Sequence, residues 1–580
     1  MRYQTAPRPG APAHDTRLGR LCTGNVVTNV RALTVGRSRE TVAAGLIAAL
    51  PAIVSTGHAL VHHWLPVGDN ASTAVRSYDV LTSHSPLLGQ WTTSSEVVGQ
   101  KMYSLGPLLN WALAVPAHFG EPAWLALTIG LINVTAVMLG VALARRRGGT
   151  ALMIGTAVAL AVMCHSLGGE AMHSLWNRSA ALLPFTVLLF VGWSVACGDY
   201  RLLPLAVVLA SFVVQCHLAY VAPAVGLLAI AIAGLLVARR RLPRHALRRW
   251  SLVALTVGLL CWSAPLGEQL TNDPGNLVLV KRAATADLPT FGKRVGAHAV
   301  VRAIGVPPWW LRGPQDTTDR FFETLEPPSA FAEVTALGVL LGLAGVALLA
   351  ARRRRADVAW ASAIPLMSCL ALGAVAAATP TKGQLYASIS YTLGWGAPAG
   401  MFAWLALGWG AAVVAVPERL RDRLHWRLGP AVGLAAAAVV AVLVAANPHP
   451  DDRERAYASL QAIRSRLDDR LGDAHRVTVI PTFERGGALL FDAYSSVVYM
   501  LRSDGRVVRS PDPSVEQTFG DWYYRREPAK PQVLIGDKQL PAGIEPIATV
   551  SPRKVLGPPP PNPITGERVP AEPTFTVAVR

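Results

Sequence analysis

The sequence predicts an all-α polytopic membrane protein carrying a small α/β domain toward its C-terminal end. Three observations lead there. Of 580 residues, 52% are hydrophobic and 16% charged, against roughly 25% charged in soluble domains. The apolar residues come in blocks long enough to cross a hydrocarbon core about 30 Å thick. The net charge of +18 is carried mostly by arginine, in short clusters between the blocks. That is the signature of membrane orientation rather than of a nucleic-acid surface, and no nucleic-acid partner is expected.

Residues 1–40 are polar, contain Pro and Arg and lack an apolar core. They read as a disordered cytoplasmic tail and not as a cleavable signal peptide. Twelve apolar blocks follow, at 41–61, 104–119, 122–144, 150–166, 180–197, 202–218, 222–238, 250–266, 332–351, 357–378, 392–415 and 430–446. If all twelve crossed, Arg145-Arg146-Arg147 would lie outside and every later Arg cluster would be inverted. Block 104–119 is the weakest: it is short, holds Pro107, Asn110 and Pro116, and runs into Glu121-Pro122. It is assigned as a juxtamembrane or re-entrant helix, which leaves about eleven spans with the N-terminus cytoplasmic. The connectors 145–149, 198–201, 239–249, 352–356 and 416–429 then hold 18 Lys/Arg in 39 residues. The outer loops 62–121, 167–179, 267–331 and 379–391 hold 11 in 151, the asymmetry expected of a plasma-membrane protein.

Past the membrane region 41–446, residues 447–556 are expected to fold outside the cytoplasm as a small α/β domain. "DDRERAYASLQAIRSRLDD" (451–469) has helical spacing. "RVTVIP" (476–481), "SVVYML" (496–501), "GRVVRS" (505–510) and "PQVLIG" (531–536) read as strands. Residues 557–580 open with "GPPPPNPITG" and read as a Pro-rich tail without a fixed fold. The domain has no Cys, and the chain's six Cys show no CxxC pair, so neither a disulfide framework nor a Cys metal site is expected.

The unusual polar residues gather in the outer loops. The first has Asp69, Arg76 and Asp79; the second, "GGEAMHSLWNRS" (168–179), has Trp176, Asn177 and Arg178. The hairpin after block 202–218 has Gln215 and His217, and "TPTKGQLYASISY" (379–391) has Lys382. Carboxylates for proton transfer, cations for phosphate and aromatic faces for sugar rings would meet there, at the depth of lipid head groups. Each residue also has a plain structural reading. Gly68-Asp69-Asn70 suits a turn or a helix start, Asp79 suits pairing with Arg76, and Gln215 and His217 suit interhelical hydrogen bonds.

The order of these features resembles the GT-C glycosyltransferases, in particular the actinobacterial integral-membrane branch that uses polyprenyl-phosphate-linked sugars. The likeness rests on "GDNASTAVRSYDVLTSHSPLLG" (68–89), "LGPLLNWALAVPAHFG" (105–120), "LWNRSAALLPF" (175–185), "QCHLAYVAP" (215–223) and "WSAPLGEQLTNDPGN" (262–276). It implies a GT-C-like fold over roughly residues 40–450 and an inverting transferase on the extracytoplasmic face. Asp69 falls at the family's usual base position. Arg76, Asp79, Trp176, Asn177, Arg178, Gln215, His217 and Lys382 would bind substrate. Many members carry a second acidic residue beside the first; here it is Asn70, so no metal or other cofactor is assigned. The implied partners are membrane lipid, a polyprenyl-phosphate sugar donor and an envelope glycan, glycolipid or glycoprotein acceptor.

Two other classes are weighed against this. A transporter or flippase of lipid-linked envelope precursors usually places ionisable residues mid-membrane and shows inverted repeats. The span centres here are free of Asp, Glu, Lys and Arg, and no repeat is visible. A non-catalytic envelope assembly protein would use the C-terminal domain as its binding module. The topology has a direct check: cysteines at positions 120 and 147 should label from outside and not label, respectively. The reverse result overturns the eleven-span reading.

Overall fold

A computed structural model describes residues 35–313, 317–415, 430–446, 453–557 and 572–580. Most of the expected tail 1–40, the connector 416–429 and the Pro-rich stretch 558–571 lie outside the described residues. The main helices of the apolar region are α1 (Val35–Val61), α2 (Asp69–Asp79), α3 (Leu108–Ala117), α4 (Ala123–Leu167), α5 (Leu182–Ala196), α6 (Leu203–Cys216), α7 (Val221–Ala238), α8 (Arg244–Thr271), α9 (Asn276–Ala284), α10 (Gly292–Ile304), α11 (Thr317–Leu325), α12 (Ala330–Arg352), α13 (Ala356–Ala378), α14 (Leu385–Thr392), α15 (Gly396–Ala415) and α16 (Pro430–Ala445). Among the described residues, eight helical runs are long and apolar enough to cross a membrane. A helix suits that task because it satisfies every backbone polar group within its own segment.

The 45-residue α4 is two helices. Gly149 is non-helical at φ 72, a conformation that L side chains rarely adopt. A Cβ built on Gly140 would lie 3.5 Å from Leu160 Cδ1, although twenty residues of straight helix would separate them by about 30 Å. The halves therefore fold back on each other, matching the two blocks 122–144 and 150–166. By contrast α3, with ten residues, is only about 15 Å long. Asn110 Nδ2 ties it to Thr73 O and Ser77 Oγ of α2 (both 3.3 Å), so a polar residue in an apolar block serves helix–helix packing.

Every residue of α5 is buried. It forms the centre of the bundle, with α4, α6, α7, α13 and α15 around it, as an all-round apolar helix requires. The outer helices instead leave large apolar side chains uncovered, including Leu255, Leu259 and Leu260 on α8 and Val334, Leu337 and Leu341 on α12. Such a surface matches acyl chains rather than water.

The basic connectors converge at one end. Arg145 pairs with Glu40 (2.9 Å), Arg146 and Arg147 with Asp199 (2.6 and 3.4 Å), and Arg355 with Asp357 (2.8 Å). Trp193 Nε1 donates to Asp357 O (2.8 Å), which fixes two of these turns together. At the other end stand α2, α3 and the long loops, covered by the C-terminal domain.

That domain comprises α17 (Glu454–Leu471), β1 (Arg476–Thr482), α18 (Ala488–Ser503), β2 (Val507–Arg509), β3 (Gln532–Gly536), β4 (Pro546–Val550) and β5 (Phe575–Val579). The strand order is β2-β1-β3-β5-β4; β2, β1 and β3 are parallel, and β5 runs antiparallel to both β3 and β4. Two expectations are corrected. "SVVYML" is not a strand but part of α18. Ten consecutive residues, Ala493–Arg502, are buried there, so the segment shows no helical alternation and its β-branched residues mimic a strand. Nor is 557–580 tail throughout, since β5 lies inside the sheet.

The domain is joined to the first loop by α18, which packs on α2. Arg502 donates from Nη2 (2.8 Å) and Nε (3.1 Å) to Asp79 Oδ1, and the Tyr523 hydroxyl donates to Asp79 Oδ2 (2.8 Å). Ser496 Oγ donates to Pro66 O (3.0 Å), and Lys101 pairs with Glu516 and Asp521. Asp79 and Arg502 are 3% and 8% exposed, so truncating one strands the other in a dry site. Arg502→Ala should cost about 3–5 kcal/mol and expose the domain to protease, read by thermal unfolding and limited proteolysis in detergent. Asp79→Leu/Arg502→Met should recover most of that loss. A wild-type melt for Arg502→Ala would rule out the clamp.

Candidate functional site

The chain leaves α1 through Trp64, Leu65, Pro66 and Val67, all buried, and turns at Gly68. Gly68 has φ 52, and a Cβ there would lie 2.6 Å from Asp492 Oδ1. The glycine thus permits both the turn and a close approach by α18. Asp69 begins α2, where a negative charge is favoured by the helix dipole. Its carbonyl accepts from Ser72 Oγ (3.0 Å) and Thr73 Oγ1 (2.8 Å). Its carboxylate has no hydrogen-bond partner among the described residues.

Asp69 is exposed by accessible surface, yet protein surrounds it closely enough that burial raises its carboxyl above the usual range, with Arg178 opposing the rise. Asp69 thus stands at the surface with protein packed closely around it.

The wall facing Asp69 comes from the second loop. Asn70 Oδ1 accepts from Ser174 Oγ and Trp176 N, both at 2.9 Å. Asn70 therefore holds the 174–176 backbone against α2. Arg178 stacks on the Trp176 ring at 3.6 Å and lies 5.3 Å from the Tyr391 centroid, leaving its buried Nε without a hydrogen-bond partner. His217 lies edge-on to Tyr391 at 6.3 Å and accepts from Ala219 N (3.2 Å) through Nδ1. The structure thus brings Asp69, Trp176, Arg178 and His217 into one group.

Four of the other predicted residues are engaged in structure. Asn177 Nδ2 donates to Cys216 O (2.8 Å). Gln215 Nε2 donates to Cys261 O (2.7 Å), and its Oε1 accepts from Leu108 N (3.3 Å). Arg76 donates to Leu88 O (3.0 Å) and Phe519 O (3.5 Å), and Asp79 forms the domain clamp. Arg76 and Asp79 line a separate cleft of about 470 Å³ between the first loop and the domain, together with His84, Tyr103 and Trp522. Lys382 is exposed, on a loop whose next residues lie against Glu96, which accepts from Gln384 N (3.1 Å).

Three members of the group were not singled out from sequence. Tyr391 lies in the last turn of α14. Arg320 on α11 is within electrostatic range of Arg178, and burial lowers its pKa; among the described residues it has no ion-pair partner. Asp492 on α18 is within electrostatic range of Asp69 and pairs with Arg453 Nε at 2.6 Å. A second carboxylate thus reaches Asp69 from the other domain. The signal for Arg320 was its place in the amphipathic "TTDRFFETL". Asp492 gave none, because its segment lies over four hundred residues from Asp69.

The group brings together a carboxylate without a hydrogen-bond partner among the described residues, two cations, and the rings of Trp176 and Tyr391, tilted 49° to each other at 5.6 Å. It can accept a proton, hold a phosphate and stack a ring. No family model and no curated protein matches this chain, so its chemistry is read from the site itself.

Burial raises the Asp492 carboxyl to about 6, with Arg453 opposing and Asp69 adding to the rise. The folded state then binds this proton more tightly than the unfolded chain, whose Asp titrates near 3.9. Stability from this group is greatest below about pH 4 and is lost as pH rises through about 6. Asp492→Asn should therefore be more stable than wild type at pH 7.5 and lose that advantage near pH 4, as measured by thermal unfolding across pH. A pH-independent difference would refute the assignment.

Proposed function

We propose that the protein is an inverting membrane glycosyltransferase that moves a sugar from a polyprenyl-phosphate donor to a cell-envelope acceptor on the extracytoplasmic face. The observation that carries this reading is Asp69, whose carboxylate is exposed yet closely surrounded and has no hydrogen-bond partner among the described residues, with Arg178 and Trp176 nearby. Asp69 accepts the proton of an acceptor hydroxyl as that oxygen attacks the anomeric carbon. The polyprenyl phosphate leaves as the anion, offset by Arg178 and Arg320. Fixed cations aimed at a departing charge are often a large part of catalysis. Trp176 and Tyr391 offer faces for the sugar.

The membrane reading has independent support. The apolar outer surface fits lipid, and a donor whose tail lies in lipid can raise its phosphate only to the head-group layer. The basic connectors at the opposite end favour that end as cytoplasmic, and in this reading the Asp69 group faces outside. With α4 counted twice and the shorter Tyr200–Cys216 and Gly433–Ala445 counted as spans, this reading has eleven crossings, and α3 stays on the outer side.

The test is turnover of purified protein in nanodiscs with polyprenyl-phosphate sugars and envelope acceptors. Asp69→Asn keeps the shape and the helix start while removing the proton acceptor. It should lower turnover on the order of 10²-fold or more, with folding and donor binding intact. Arg178→Gln should mainly weaken use of the phosphate donor. Near-wild-type turnover in a well-folded Asp69→Asn protein would remove Asp69 as the base.

A further inference from the structure

We infer that His58, His62 and Glu454 form a divalent transition-metal site, suited to Zn²⁺, joining the last turns of α1 to the first turn of α17. His58 lies in the last turn of α1 and His62 is the residue just past it, its N–H still donating to His58 O (2.9 Å), so the two side chains stand one turn apart on the same face. Their rings stack at 4.0 Å with 20° between planes. Both present Nδ1 to the same carboxylate: His62 Nδ1 is 2.9 Å from Glu454 Oε1, and His58 Nδ1 is 3.9 Å from Oε2. One ligand atom from each of the three lies within 4.8 Å of the others.

Two imidazoles one turn apart on a helix plus a carboxylate from a second element is a recurrent zinc ligand set. A tetrahedral ion holds its ligands about 2.0–2.2 Å away, so small side-chain rotations would close the group around it and leave a fourth position for water. The three side chains are 21–47% exposed, open enough for an ion to enter. A plain imidazolium–carboxylate pair would account for one of these contacts. It does not account for the second imidazole turned to the same carboxylate, beside a first ring whose like charge would oppose it.

The place of the site gives it a consequence. Glu454 follows Arg453, which pairs with Asp492 near Asp69. Further along α17, Gln461 Nε2 donates to His63 O (3.0 Å). An ion here would fix α17 on the end of α1 and so position Arg453 and Asp492. Its role is attachment rather than chemistry at Asp69, and it does not depend on what Asp69 acts on.

The test uses tag-free full-length protein in nanodiscs, stripped with EDTA. Zn²⁺ is titrated against a chromophoric chelator, and Co²⁺ is followed by visible absorption. Wild type should bind one Zn²⁺ per chain below micromolar concentration, give the intense d–d bands of four-coordinate Co²⁺, and melt at higher temperature with Zn²⁺. His62→Ala and Glu454→Gln should each weaken binding on the order of 10²-fold or more. The Co²⁺ spectrum needs no variant, so a poorly folding variant does not leave the question open. No binding by wild type would mean an ion pair only, and equal binding by the variants would place the metal elsewhere; either result overturns the site.

Discussion

One buried junction, the carboxylate of Asp79 against the guanidinium of Arg502 and the hydroxyl of Tyr523, fixes the two parts of this molecule in register. The pair is desolvated on both sides, so its two charges are tolerable only together. Removing water from both costs several kcal/mol, and the gain returns only when the geometry is right. Such a contact contributes less to raw stability than to choosing one docking over others. Once it is made, α18 lies along α2, Ser496 meets Pro66, and Asp492 comes beside Gly68 and Asp69. The surroundings of Asp69 are therefore a product of domain docking and not of the membrane helices alone.

The sequence showed the membrane part well. Apolar blocks and arginine clusters were sufficient to divide the chain into helices, to separate 122–144 from 150–166 and to single out 104–119 as too short. These are local properties, because each block must satisfy its own backbone. The C-terminal domain was less legible. Val497, Val498 and Tyr499 look like strand residues, and only contacts from both sides of α18 make them helical. Phe575–Val579 lies beyond a proline run that hid it.

The site divides in the same way. Asp69, Trp176, Arg178 and His217 could be found because each sits at a helix end in an outer loop. Arg76, Asp79, Asn177 and Gln215 offer the same chemistry, yet Arg76, Asn177 and Gln215 bind backbone carbonyls and Asp79 is held by Arg502 and Tyr523. Sequence shows that a polar residue is present at a membrane edge. It does not show whether a neighbour has already used its hydrogen bonds. Asp492 illustrates the opposite case, since nothing near it in the chain signals that it faces Asp69.

The strand order β2-β1-β3-β5-β4 has a consequence for biosynthesis. β4 is made before β5 but pairs with β5 alone, so it has no neighbour until the later strand arrives. About 25 residues separate them, which at 5–20 residues per second amounts to roughly one to five seconds of synthesis. During that interval β3 and β4 both expose unpaired edges of the kind that invite association between chains. The sheet therefore closes late, after the membrane helices beneath it have been made. A nascent chain interrupted between β4 and β5 would keep its helices but lack the finished layer behind α18, and so would be recognisable to quality control by its open edge rather than by any fault in the bundle.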